Sequence, residues 1–157
     1  MSEDLQVKIV GFRPEYATNF AELNYEWIKE SYTIEEHDHD VLDHPIENVI
    51  DLGGQIFFAL SGEEVAGTVA LIRTGSDEFE LAKMAVAPAF RGRGVGNSLL
   101  TECINFARAK RKSKIVLESN TKQVAAVALY RAFGFREIPL DPDSLFVRAN
   151  IRMELDI

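Results

Sequence analysis

The chain has one cysteine, Cys103, among 157 residues. A single thiol closes no disulfide within the chain and builds no multi-thiolate zinc site. Basic residues are also in deficit: 17 Lys and Arg stand against 25 Asp and Glu, for a formal net charge of −8. A nucleic-acid binder carries a basic footprint, so this balance argues against nucleic acid as a partner. It argues equally against an anionic membrane surface, and it favours cationic small molecules or peptide ends. No stretch approaches the roughly 18 apolar residues of a membrane span. The N-terminus, MSEDLQVKIV, has acids where a signal peptide has a basic start. The expectation is a soluble, cytoplasmic protein.

What is present is ordinary for a globular chain, with 46% hydrophobic and 27% charged residues. The length suits one domain over residues 1–157 with a core that needs no staple. There is no internal repeat, low-complexity tract or Ser/Gly linker. Residues 7–13 alternate as a strand, and Pro14 opens a helix to about Glu30 on the spacing of Tyr16, Phe20, Leu23, Trp27 and Ile28. Residues 31–38 read as a loop, and a second helix runs through Val41 to Ile50, interrupted at Pro45. Strands at 55–60, 65–72 and 78–86 form a meander around two turns. Helix 96–110, strand 114–117, helix 124–133 and strands 135–138 and 149–155 complete the order βααβββαβαββ. That pattern predicts a mixed α/β sheet with helices on both faces.

The sharpest local feature is Arg91-Gly92-Arg93-Gly94-Val95-Gly96, between a strand and a helix. Three glycines let the backbone curl close to a ligand. The free N–H groups at a helix start then point outward together, with the positive end of the helix dipole behind them. Arg91 and Arg93 add charge, and a pyrophosphate is the natural guest. The P-loop pattern fails because no lysine follows at the required spacing. The dinucleotide fingerprint fails because its third glycine falls on Asn97.

Arg91, Gly94 and Gly96 match the R/Q-x-x-G-x-G/A motif of the GNAT superfamily of N-acetyltransferases, which this segment resembles. ELAKMAVAPAFRGRG resembles the family's fourth strand and its approach to that loop, and LYRAFGF, Leu129 to Phe135, resembles the family's LYxxxGF segment. The element order is similar too, so the resemblance spans nearly the whole chain. It implies a mixed, mostly antiparallel sheet of about seven strands, with the fourth and fifth splayed. It implies acetyl-coenzyme A as cofactor, its pyrophosphate on Arg91, Gly92, Arg93, Gly94, Val95 and Gly96. Its pantetheine arm would pair like an extra strand with Met84, Ala85 and Val86. Tyr130 matches the tyrosine that protonates the departing thiolate. Glu80, eleven residues before Arg91, matches the base glutamate of the histone-acetyltransferase branch. Period-two counting puts Glu80, Ala82, Met84 and Val86 on one strand face. Where many members have Asn-x-x-Ala-x-x-Leu-Tyr, this chain has Gln123 in the asparagine position. Asn120 lies just before it, and either amide is a candidate for the cofactor arm or the acceptor. The resemblance implies direct attack of a primary amine, from a small molecule or a peptide, on the thioester.

Glu35-Glu36-His37-Asp38-His39-Asp40 mixes histidine with carboxylate, but adjacent loop residues do not converge on one ion, so no metal site is expected. A solvated acidic loop is the expectation, with Tyr32, Glu36 and His37 offering a cation-friendly wall to the acceptor. The basic run Arg108 to Lys112 suits a helix C-terminus. Cys103 falls on an apolar helical stripe and reads as core. Two other readings share the glycine loop: a non-catalytic acyl-coenzyme A sensor, and a nucleotide-binding protein of another fold. The oligomeric state is open, and a homodimer paired through the C-terminal strands fits the strand order.

Overall fold

A computed structural model describes residues 5–144 and 146–157. The strands are β1 (Lys8–Val10), β2 (Gln55–Ser61), β3 (Glu64–Arg73), β4 (Glu78–Val86), β5 (Lys114–Ser119), β6 (Arg136–Ile138) and β7 (Ile151–Asp156). The helices are α1 (Ala17–Ser31), α2 (Glu36–Asp43), α3 (Val95–Ala109) and α4 (Val124–Ala132). The strands form one seven-stranded sheet in the order β1-β2-β3-β4-β5-β7-β6. Every pairing is antiparallel except that of β4 with β5. This is the mixed, mostly antiparallel sheet with helices on both faces that the sequence predicts.

The two faces follow from strand alternation. Phe57, Val69, Leu71, Phe79, Leu81, Ile115 and Met153 point to one side and meet the α3 stripe of Leu99, Leu100, Cys103 and Ala107. Gly67 sits under that helix: a Cβ there would lie 2.9 Å from Val95 Cγ1 and 3.2 Å from Leu99 Cδ1, so α3 rests directly on β3. The other side buries Ile56, Phe58 and Ala70 against Phe20 and Ile28 of α1 and Val41 and Leu42 of α2. Asn24 is fully buried among them, yet its amide donates to the Phe20 carbonyl at 2.9 Å and accepts from Trp27 Nε1 at 3.1 Å.

Several elements depart from the sequence expectations. The first strand stops at Val10 rather than 13, because the Gln55 side chain takes the Phe12 N–H at 3.2 Å. The segment expected as a loop to Asp38 instead starts α2 at Glu36. Glu35 and Asp38 cap each other's backbone N–H groups in a reciprocal box. Pro45 does end that helix, and a short π-helical turn, Ile46–Ile50, follows.

The departure that matters most for the site is a β-bulge on β4. Gly67 pairs with Val86 and Thr68 with Ala85, but Ala70 pairs with Ala82, so β4 holds one residue more than β3. Lys83 absorbs it with a φ of +56°. The expectation that Glu80, Ala82, Met84 and Val86 share a face is therefore wrong. Glu80 opposes Ile72 on the α1/α2 side, whereas Met84 and Val86, past the bulge, pack on the α3 side. Among the described residues no helix is long and apolar enough to cross a membrane.

Candidate active site

The glycine bend adopts the predicted form. Gly92 and Gly94 take φ values of +73° and +82°, a region that L side chains avoid. Gly94 is the N-cap of α3 and offers no side chain to cap it. The first helical bond is Ser98 N–H to the Gly94 carbonyl at 3.2 Å. The N–H groups of Val95, Gly96 and Asn97 have no acceptor among the described residues, so they are available to an anion. The Arg91 side chain folds back instead. Its Nε donates to the Val86 carbonyl at 3.3 Å and its guanidinium lies 3.7 Å from Glu30. Arg93 contributes main chain, its carbonyl accepting Leu5 N–H at 2.7 Å.

Beside the bend the sheet opens. β4 and β5 pair only where Glu78, Phe79 and Glu80 meet Lys114, Ile115 and Val116, and then diverge. Ala87 N–H bonds the Ala66 carbonyl at 2.8 Å, which makes Ala66–Ala87 a hydrogen-bonded pair. The antiparallel alternation then turns the polar groups of Ala85 toward β3 and those of Val86 away from it, into the opening. A cleft of about 1070 Å³ fills the splay and runs from the glycine bend to the segment between β6 and β7.

That segment, residues 139–144 and 146–150, is a strap across the far end of the cleft, to which it gives Asp141, Asp143, Ser144, Phe146 and Arg148. A fully buried carboxylate, Asp38, anchors it: Arg148 reaches the two Asp38 oxygens at 2.6 and 2.8 Å, and Lys83 bonds the same group from the bulge. Glu35 accepts the Val147 N–H at 3.0 Å and Arg148 at 3.2 Å. Lys83 and Arg148 also stack on the Phe146 ring, at 4.5 and 4.4 Å from its centroid. Burial pushes the Asp38 carboxyl up, but the hydrogen bonds from Arg148 and Lys83 outweigh it and hold Asp38 well below the usual carboxylate range. Asp38 is thus no part of a solvated acidic loop.

Glu80 lies half-buried in the floor of the cleft. Burial first, then the nearby Glu118 charge, pushes its carboxyl up to about 7, against the opposing pull of Lys83 and Arg152. Tyr130 of α4 is buried except for the edge it shows the cleft, its ring 5.8 Å from that of Phe135. Its hydroxyl has no hydrogen-bond partner among the described residues, and no fully buried side-chain N or O among them lacks one, so the hydroxyl reaches open space. Burial raises the phenol's pKa further and keeps it protonated. Cys103 is fully buried in the core and its thiol is pushed up by burial, so it is no nucleophile.

Of the residues expected in the site, Arg91, Gly92, Gly94, Val95, Gly96, Met84, Ala85, Val86, Glu80, Tyr130, Asn120, Tyr32 and His37 do line one cleft. Arg93 does not, and neither does Glu36, which opens α2 beside a separate crease with Glu35, His37 and Asp40. The Asn120 amide is engaged by the protein, donating to the Arg148 carbonyl at 2.7 Å and accepting from Lys122 N–H at 2.9 Å. Gln123 reaches across the cleft to Tyr32 Oη at 3.3 Å. The sequence reading missed the strap wall, the Asp38 anchor and Glu118. The Glu35/Asp38 spacing is the one signal that could have shown the start of α2, in a segment that reads as loop.

The comparisons agree with this fold. The family model described as Acetyltransferase (GNAT) family matches residues 21–135. N-acetyltransferase 8B of Rattus norvegicus is 33% identical over 103 residues, covering 62% of this chain and 46% of that protein. The chain thus spans about half the length of the curated relatives it matches. In fold it is similar to an acetyltransferase of the GNAT family from Staphylococcus aureus Mu50, with a TM-score of 0.86 at 23% identity over 96% of this chain and 99% of that one. It is similar also to a Bacillus subtilis acetyltransferase solved in complex with CoA, with a TM-score of 0.74 at 20% identity over 97% and 99% of the two chains. The chain belongs to the acetyltransferase (GNAT) family.

Proposed function

We propose that this protein is an acetyl-coenzyme A-dependent N-acetyltransferase that acts on a cationic primary amine by direct transfer. The observation that carries this reading is the junction of an uncapped helix start with the opening edge of a strand. The uncapped start of α3 meets the opening edge of β4, and Glu80 and Tyr130 face the same space. The α3 N–H groups and the Gly92–Gly96 bend suit a diphosphate. The outward N–H of Val86, and its carbonyl once Arg91 Nε lets go of it, suit the amides of an extended pantetheine arm, joining the sheet as a strand would. When bound, acetyl-coenzyme A supplies an acyl group activated as a thioester.

The chain's own groups do the proton work. Glu80 takes a proton from the acceptor's ammonium and leaves a neutral amine with its lone pair free to attack. Tyr130, protonated and without a partner among the described residues, gives its proton to the departing sulfur. Val86 N–H, turned into the opening, is placed to polarise the carbonyl. With Cys103 sealed in the core, no acyl-enzyme forms there. Tyr32, His37 and the strap enclose the acceptor, and the carboxylates of Glu118, Asp141 and Asp143 along that end favour a cation.

The test is a panel of amines (spermidine, lysine, short peptides with free α-amines) incubated with the protein and acetyl-coenzyme A, with released thiol as the readout. Turnover of at least one amine is expected. Tight binding of coenzyme A with no turnover across the panel would replace the enzyme with an acyl-coenzyme A sensor.

A further inference from the structure

Glu118 enters the cleft from the strand opposite Glu80. β4 and β5 hold parallel register until Glu80 faces Val116, and there they part. Alternation puts Glu118 on the Val116 face of β5, so the two carboxylates lie on one face of two diverging strands, and both line the cleft. Glu118 is fixed in place: the Ser144 hydroxyl of the strap donates to its Oε2 at 2.6 Å, and Arg152 of β7 is its cross-strand partner.

The other charges around Glu80 do not cancel it. β4 itself supplies Glu78 and Lys83, and β7 supplies Arg152. β3 opposes Glu80 with the apolar Ile72. Along the cleft stand Glu30 and Tyr32 at the end of α1, His37 from α2, and Arg148, Asp141 and Asp143 from the strap. Lys83 and Arg148 are both engaged by Asp38. Glu30 lies against Arg91, and Arg152 stands nearer Glu118 in register than Glu80.

We propose that Glu118 is a positioning residue for proton removal by Glu80: its fixed charge at the lip of the splay draws an alkylammonium between the two carboxylates and keeps Glu80 a strong enough base to deprotonate it. The inference rests on the reading of Glu80 as the base. In the step, one N–H bond of the ammonium breaks, the proton moves to a Glu80 oxygen, the electron pair stays on nitrogen, and Glu118 takes no proton. The placement of Glu80 near neutrality agrees, since the Glu118 charge follows burial as the leading cause.

The experiment titrates the carboxyl carbons of the intact protein by NMR, with 13C at glutamate Cδ and with neither acceptor nor coenzyme A added. The Glu80 signal is the one absent from Glu80→Gln. In Glu118→Gln the amide oxygen still accepts the Ser144 hydroxyl, so the strap is kept while the charge is lost. The Glu80 midpoint then moves to lower pH by about one unit, a roughly tenfold change in proton affinity. Glu118→Ala moves it the same way, and Glu118→Asp, which keeps the charge, holds it near its original value. An unmoved midpoint in both charge-removing variants overturns the proposal and leaves Glu80 as base. Absence of any Glu80 signal titrating near neutrality removes the base itself, and the role of Glu118 with it.

Discussion

The ammonium of Lys83 meets the buried carboxylate of Asp38 at the one position where β4 breaks its pleat. A left-handed backbone costs a non-glycine residue about 1–2 kcal/mol. Here the cost is borne because the bulge aims Lys83 at α2 and frees the end of β4 to part from β5. The same carboxylate holds Arg148 of the strap at 2.6 Å. One group therefore ties together the α2 start, the bulge on β4 and the strap at the far end of the cleft.

Asp38→Asn is expected to destabilise the protein by about 3–5 kcal/mol, since it leaves Lys83 and Arg148 without their counter-charge. Chemical denaturation at pH 7 measures it. The sign with pH follows from the depressed carboxyl: Asp38 contributes stability above the ordinary carboxylate pKa, and that contribution is lost as pH falls through the folded value. The variant should lose less stability on acidification than the wild type. A loss under about 1 kcal/mol at pH 7 would show that the ion triad merely breaks even against its desolvation.

Glu80 carries the opposite sign. Its carboxyl titrates at about 7 in the folded chain, above its ordinary value, so folding loses stability as pH rises from the ordinary carboxylate range through about 7. Glu80→Gln removes that loss and should be more stable than the wild type at pH 8, by about 1–3 kcal/mol, with little difference at pH 4. The same substitution should lower kcat about 100-fold or more. It should also abolish the rise of activity through neutral pH, because the ionised form is the active one. Equal melting temperatures for the two proteins at pH 8 would place Glu80 in a far more solvated setting.

These two carboxylates also mark where the sequence was legible. The Arg91–Gly96 bend could be read in advance because left-handed backbone selects glycine and leaves a pattern in the letters. Glu80 and Tyr130 entered as candidates through the family resemblance, Glu80 by its distance from Arg91 and Tyr130 by the LYRAFGF segment, and both line the cleft. The bulge could not be read: Lys83 is no turn former, and its conformation answers to Asp38, 45 residues earlier. The charged first turn of α2 looks like a loop until its cap closes, since the apolar residues buried in that helix, Val41 and Leu42, come only later. Phe146 and Ser144 belong to a segment without periodicity, placed by Glu35, Asp38, Glu118 and Asn120 rather than by its own composition.

Gly94→Asp is expected to weaken coenzyme A binding at least tenfold by calorimetry. It puts a side chain at a φ of +82° and a negative charge at the mouth of the α3 N-terminus. Gly62→Asp is the control: that glycine is also left-handed, at +62°, but lies in the β2–β3 turn with nothing within 4 Å of an added Cβ. It should share the backbone strain and keep the affinity. Equal losses in both variants would assign the effect to folding rather than to the cradle.

Tyr130→Phe isolates one oxygen. The ring stays, with its contact to Phe135 at 5.8 Å. The deleted hydroxyl has no protein partner among the described residues, so its removal orphans no buried group. Stability should therefore change by less than about 0.5 kcal/mol. Turnover should not be so insensitive: loss of a positioned general acid costs about 100-fold to 10,000-fold in kcat. An acyl-thioester whose leaving thiol has a much lower pKa needs less help from an acid. It should recover most of that loss in Tyr130→Phe, with a smaller gain in the wild type. A fall in kcat that is the same for both thioesters would remove Tyr130 as the proton donor and leave it a wall of the cleft.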